Sequence, residues 1–493
     1  MVTMTRIPPA PVGSRVPLAV VGSNKFGRYP KISTEKTYNM YESDKWMVPT
    51  PGHLKILQVD PLAEGRGIFT SVRGNFMLVV IGDGVWIIRS EIYKIGRTIP
   101  IGDITEGIAI LIGNLDTFSG DVFIDENDAE QIAICDKKDI YIYDYQAASF
   151  QKATIDFIPG YIAFQDGYFI APDLERPQWR LSAVNNGLVW PAGASNVGSL
   201  QTKPDNARAC VRVPGKGNQL FVMGSSVTEA WNDVGYKLFP YYRTNSFNID
   251  YGCVNQSTIA TSDQFVIWLA RNEKSAPVIM VSAGGAPRQI STDGINFALS
   301  QLENPEDSYG FLYKSDGHLF YQLTFVKDKI THLYDFTTEK FYFLSDNNFD
   351  NHIAKKVTFF ANDYYFISLI DGNIYRLSGD FTTADGETVP RLRITNTIRL
   401  PDNEAFIANG MNFTIEQGDS LNVNRVDMSL SYDGGTVFGN VVGKELHLLP
   451  NRQNKFNEYR LGRANEITVQ LRFWGDGKFI CTNGYMEIYK TAI

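Results

Sequence analysis

Cysteine is sparse in this 493-residue chain. Cys135, Cys210, Cys253 and Cys481 stand far apart and form no CxxC pair, which suits neither a zinc site nor a dense disulfide framework and points to folding in a reducing compartment. Positive charge is also in deficit: 46 Lys and Arg against 54 Asp and Glu give a formal net charge of −8. The chain therefore lacks the positive field with which sequence-reading DNA binders collect phosphates. No apolar run approaches the ~18 residues of a membrane-spanning helix, and the prolines of Met1–Pro11 stand where a signal peptide would carry an apolar stretch. A soluble product that is not exported by the usual route is expected, with no membrane insertion. Under that expectation the two N-x-[ST] triplets, at Asn255 and Asn412, carry no glycan. Long helical patterns are scarce as well.

What the chain does have is aromatic residues (13%) and 42 glycines, a pairing suited to short strands joined by tight turns. One cassette recurs from Ile68 to Leu377: an aromatic and β-branched strand, a Gly, Asp or Asn turn, and a second such strand. Copies stand at Phe76–Ile88, Gln131–Asp144, Tyr161–Ile170 and Tyr364–Tyr375, with further strands at Gln219–Gly224, Gln264–Leu269 and His318–Leu323. The spacing averages ~45 residues, the range of four-stranded propeller blades, and predicts an all-β fold built on a six- or seven-bladed β-propeller. Mid-blade strands such as Phe76–Ile81 are apolar on both faces, as strands packed between two neighbours must be.

Three domains are expected. Residues 1–62 are Pro-rich, with Tyr29, Tyr38, Tyr41 and Trp46 scattered rather than alternating, and read as an extended arm that packs over another domain or subunit; a disordered leader is the alternative. Residues 63–385 form the propeller. After a Gly-, Asp- and Thr-rich linker within Ser378–Pro390, residues 386–493 alternate more strictly, as in Glu466–Phe473, and predict a separate antiparallel β-sandwich.

Several stretches in order carry a resemblance. Gly224-Ser-Ser-Val-Thr-Glu229-Ala-Trp, Gly252-Cys253, Ala276-Pro-Val-Ile and Gly285-Ala-Pro-Arg-Gln-Ile-Ser-Thr292 are followed by His332-Leu-Tyr-Asp335, Ser431-Tyr-Asp-Gly434, Leu461-Gly-Arg463 and Val469-Gln-Leu-Arg472. Asn39-Met40, Pro51-Gly52 and Arg66-Gly67 precede them. This succession resembles the packaged-DNA stabilisation proteins, or tail accessory factors, of short-tailed Salmonella-type phages. The acidic segment Gly120–Glu130 departs from the family pattern as an apparent insertion, and the family's basic final strands are diluted. The resemblance implies a structural virion protein: a homo-hexameric ring in the tail, below the portal and its adaptor, with needle, spike or fibre proteins beside or beneath it. It would extend the DNA channel, help retain the packaged genome and conduct it during ejection, assembling in the host cytoplasm. The acidic balance suits passage of DNA through the lumen without sequence-specific binding.

Candidate chemistry is thin. Ser431-Tyr-Asp433-Gly-Gly435-Thr-Val-Phe438 resembles a degenerate Asp-box, whose serine and aspartate satisfy backbone donors in a turn; it supports the alternative of a carbohydrate-binding or sialidase-like propeller. Asp121, Asp125, Glu126, Asp128 and Glu130 could gather on calcium but miss the EF-hand register, so a solvated acidic loop is the simpler reading. His53, His318, His332, His352 and His447 form no HExxH or helical pair. Ser225 and Ser226 lack the second glycine of a nucleophile elbow. No catalytic, cofactor-binding or metal-binding residue is assigned, and the chain is expected not to be an enzyme.

Overall fold

The computed structural model describes residues 13–27, 35–60, 62–94, 99–100, 108–245, 249–401, 403–418, 424–446 and 453–490. The residues from Met1 to Val12, together with Tyr29 and His447, lie outside these. Two compact units divide the chain: Met1–Pro51, His332–Asp350 and Thr382–Ile493 make one, Gly52–Thr331 and Asn351–Phe381 the other.

The second unit is a β-propeller. Five of its sheets are complete within it. The first blade runs Gly65–Ser71, Phe76–Ile81, Gly84–Arg89, Ala109–Asn114; the second Phe123–Glu126, Gln131–Cys135, Ile140–Asp144, Ser149–Lys152. Blades three and four begin at Ala163–Gln165 and Ala209–Arg212 and end at Val197–Ser199 and Tyr241–Arg243. In blade five, Gly252–Cys253 and Ala260–Thr261 both pair with Val266–Arg271. The antiparallel hairpin Ser308–Ser315 and His318–Phe325 begins a further radial position. The last blade holds Ala354–Phe360, Asp363–Ser368, Gly372–Ser378 and, from the other end of the chain, Gly52–Asp60. That strand falls within the stretch assigned to the arm. It pairs through Leu377↔His53 and Ile374↔Leu57, so the first and last strands of the unit share one ladder and the ring closes.

Alternation explains why mid-blade strands are apolar throughout. All six residues of Phe76–Ile81 are buried, yet they serve two cores. Met77, Val79 and Ile81 pack with Tyr365, Ile367 and Ile374 of the last blade; Phe76, Leu78 and Val80 pack with Ile132, Ile134 and Tyr141 of the second. Ala133, Cys135 and Ile142 in turn face Phe164 and Phe169 of the third. Each fully buried side chain of this size contributes roughly 1.5–3 kcal/mol, and a strand that gave up either face would leave a neighbouring blade uncovered. Turns are as tight as the Asp-Gly pairs suggest: Asp166 and Gly167 have φ of 49° and 88°, Asp316 and Gly317 of 49° and 82°, the two left-handed residues of a type I′ hairpin.

Cross-blade hydrogen bonds supplement the cores. The Tyr321 hydroxyl donates to Thr258 O at 2.7 Å, and it reaches that carbonyl because Gly310 leaves the path open: a Cβ there would lie 2.4 Å from the hydroxyl. Tyr321→Phe is expected to cost about 1–3 kcal/mol, the range for stranding one buried acceptor, in urea denaturation of the intact chain. Helix is confined, among the described residues, to Asp293–Ser300, capped by Thr292, and short 3-10 turns.

The first unit is a β-sandwich. One sheet has the order Ser14–Leu18, Gly484–Lys490, Phe406–Gln417, Phe479–Cys481, Trp46–Pro49, Met40–Ser43, with Gln453–Ala464 also on Phe406–Gln417. The other includes Lys340–Leu344, Lys36–Tyr38, Arg391–Ile394, Glu466–Trp474, Arg425–Ser431 and Val442–Glu445. Ile467, Val469, Leu471 and Phe473 enter the shared core together, as their alternation predicts, opposite Met411, Phe413, Ile415 and Met486. Four short strands of the stretch assigned to the arm are thus part of the two sheets. Tyr38, Tyr41 and Trp46 sit on strands of three or four residues, too short to show a period.

Candidate functional site

Six blade positions contribute innermost residues to one cavity of about 250 Å³: Ile68, Phe123, Tyr161, Ser257, Phe311 and Lys356 are among its walls. It lies where a propeller's axis passes. Beside it a buried charge cluster is assembled from the blades. Asp121 receives Lys355 at 3.3 Å and Lys137 at 3.2 Å, and Lys355 also reaches Glu64 at 3.8 Å. Burial opposes ionisation of Asp121, yet Lys355, Lys137 and Lys356 together hold its carboxyl well below the usual range. Arg66, fully buried, donates to Gly120 O and Gly82 O at 2.8 Å and to Thr117 O at 2.6 Å. It thereby fixes the turn that presents Asp121. Lys356 donates to Val122 O at 2.7 Å and lies 4.3 Å from the Phe123 ring centroid.

The acidic segment is integral to this arrangement. Phe123–Glu126 is the innermost strand of blade two, so the segment read as an insertion is part of the propeller. Its carboxylates disperse: Asp125 accepts from Phe164 N–H at 2.7 Å, Glu126 accepts from Ser71 and Tyr145, and Asp128 pairs with Arg73. Among the described residues no group of three or more His, Cys, Asp or Glu is placed to hold a metal ion. Histidines are equally separated from chemistry. His53 packs edge-on to His352, ring centroids 5.4 Å apart, with Phe366 and Tyr375 alongside, and His332 packs on Phe26 and Phe343.

The Asp-box resemblance marks a real turn in the sandwich. Ser431 Oγ donates to Asp433 Oδ1 at 2.5 Å and accepts from Gly435 N–H; Asp433 Oδ1 accepts from Thr436 and Val437 N–H at 3.1 and 3.0 Å. The Ser431 hydroxyl and Asp433 Oδ1 are both used to close the turn. Its role is structural, as the residue types imply.

The larger signal lies on the surface, and residue-motif reading missed it because it needs the ring. Loops of the last, first and second blades expose Leu62 (95%), Phe118 (70%) and Ile370 (70%). Ala63 and Phe118 both stand against Gly82, and Ala63 O against Gly372, so the three side chains crown neighbouring loops. Asp60, Asp83 and Asp371 accompany them, engaged in local turns or with Asn114 and Tyr375. A second apolar group, Val234, Tyr236, Leu238 and Tyr242, occupies the outer hairpin of blade four. Blade four stands across the ring from the first and last blades. Exposed apolar groups of this kind mark interaction surfaces.

The fold defines a β-propeller scaffold. Residues 95–382 match the model of a phage-stabilisation family described as Bacteriophage P22 Gp10, beta-propeller, and the chain belongs to that family. Membership, with the dispersed charges of the propeller, accords with a non-enzymatic structural role in a phage. No curated protein matches the chain in sequence. Among solved structures, the N-terminal domain of Nup159 is similar over 70% of this chain and 98% of its own (TM-score 0.42, 11% identity). The extracellular domain of the one-component system BT4673 from B. thetaiotaomicron is similar over 66% of this chain and 39% of its own (TM-score 0.41, 10% identity). At these TM-scores the likenesses add nothing to the assignment. No helix among the described residues is long and apolar enough to cross a membrane.

Proposed function

We propose that the chain is a tail protein of a short-tailed phage, six copies of which form a ring below the portal and its adaptor. The ring extends the DNA channel, helps retain the packaged genome and conducts it during ejection; needle, spike or fibre proteins dock beside or beneath it. Assembly takes place in the host cytoplasm and the product resides in the virion tail. Family membership carries this reading, and one structural observation supports the ring. Head-to-tail rings need two different patches on each subunit, and the propeller exposes two apolar groups on blades across the ring from each other. The net charge of −8 favours passage of DNA over tight phosphate contact, so retention falls to steric closure and partner proteins.

Electron microscopy of the purified chain mixed with portal and adaptor proteins is expected to show a six-fold ring. Leu238→Glu with Tyr236→Glu, both on exposed positions, is expected to abolish the ring while leaving the circular dichroism spectrum and melting temperature near wild type. A persistent monomer that binds or cleaves host glycans would instead establish the carbohydrate-active alternative.

A further inference from the structure

Lys356 differs from its neighbours in the axial cluster. Lys137 and Lys355 both meet carboxylates, whereas Lys356 forms no ion pair among the described residues; its ammonium has the Val122 carbonyl and the face of Phe123. One hydrogen bond and one ring leave two of its three N–H donors free. The groups that bear on it are Asp121, Lys355, Lys137 and Cys135, and Glu64 is already shared between Lys355 and the Gly120 N–H. Three ammonium groups thus face two carboxylates, and the unmatched charge is the one that lines the cavity. A half-buried cation with no carboxylate in direct contact is costly in this setting. Ser257, on the same wall, has its hydroxyl turned to the Asp121 carboxylate.

We propose that the axial cavity of the propeller binds a small oxyanion, a carboxylate or phosphate group, on the Lys356 ammonium. The volume of about 250 Å³ equals the liquid share of roughly eight waters, enough for a short-chain carboxylate whose apolar part meets Ile68, Phe123, Ile259 and Phe311, or for inorganic phosphate with its hydration. Charge-assisted hydrogen bonds from the two free N–H donors would hold the oxygens. The same wall explains why the amine titrates low, at about 7: burial lowers it, Lys355 and Lys137 reinforce the shift, and Asp121 opposes it. Bound anion would reverse part of that shift, because it favours the protonated amine.

The test uses the full chain with lysines carrying ¹³C-methyl labels, titrated by NMR in the presence of butyrate or inorganic phosphate. The Lys356 signal, assigned by its loss in Lys356→Met, is expected to move saturably, with its titration midpoint rising by about one pH unit at tenfold saturation. Calorimetry is expected to show one site, weakened at least tenfold in Lys356→Met. Tighter butyrate assigns a carboxylate, tighter phosphate the free inorganic ion. No saturable shift with either anion, or binding that Lys356→Met leaves unchanged, overturns the proposal; the wild-type titration decides it even if the variant fails to fold.

Discussion

Arg393→Met is expected to lower the stability of the sandwich unit by about 3–5 kcal/mol, the range for removing one partner of a buried ion pair. Arg393 is fully buried. Its guanidinium donates to Glu35 Oε2 at 2.5 Å, to Val20 O and Ala19 O at 3.1 Å, and to Ser23 O and Thr37 Oγ1 at 3.2 Å. One side chain on the strand Arg391–Ile394 thus ties residues 19–23 to residues 35–37. Methionine would fill the stem's volume but strand three carbonyls and leave Glu35 to the exposed Lys25 alone, 2.6 Å away. Arg393→Lys should recover only part of the loss, since an ammonium cannot present five donors in a planar fork. Hydrogen-exchange mass spectrometry checks this locally: amides of residues 19–25 and 35–38 should lose protection in Arg393→Met while propeller peptides keep theirs. Uniform loss across the chain, or none, would refute the assigned role.

That anchor could not be read from the sequence, and the reason bears on the whole chain. Repetition was legible because each blade states its pattern independently: Phe76–Ile81, 132–135 and Gln219–Met223 are each an unbroken buried run. The Asp-Gly turns were legible because two successive left-handed residues restrict composition. Contacts between distant segments leave no such trace. Gly52–Asp60 joins Gly372–Ser378, and Arg393 joins Glu35, across more than 300 positions. The acidic stretch misled for the same cause: Asp121 looks solvated until Lys137 and Lys355 are brought to it. Exposed Leu62, Phe118 and Ile370 are ordinary loop residues in sequence and become a surface only when neighbouring blades set them side by side.

Acid should weaken both units well above the range where ordinary carboxylates titrate. Burial holds His53 and His332 near a pKa of 4 and His352 near 3, the last also through His53, against 6.5 for an unperturbed imidazole. These rings are neutral in the folded chain, whereas the unfolded chain takes up their protons as pH falls below 6.5. Their contribution is therefore complete above pH 6.5 and is lost as pH falls from there toward 4. Asp125 acts in the opposite sense: burial raises its carboxyl to about 6, so the folded propeller gains a proton that the unfolded chain does not bind until lower pH. In the propeller two histidines act against Asp125 and against Asp166, whose carboxyl burial also raises, and leave a net uptake of at most about one proton on unfolding; in the sandwich His332 gives up to one. Each unit should then lose up to about 1.4 kcal/mol per pH unit between 6 and 4, with the sandwich slope about half that by pH 4. Urea denaturation at pH 7, 6, 5 and 4.5 measures the slope, with hydrogen exchange separating the units. His332→Phe should flatten the sandwich's dependence and leave the propeller's intact. His53→Phe should bring the propeller close to pH-independence in this window, because Asp125 then cancels His352. A slope that survives both substitutions would show that these buried rings are not what acid attacks.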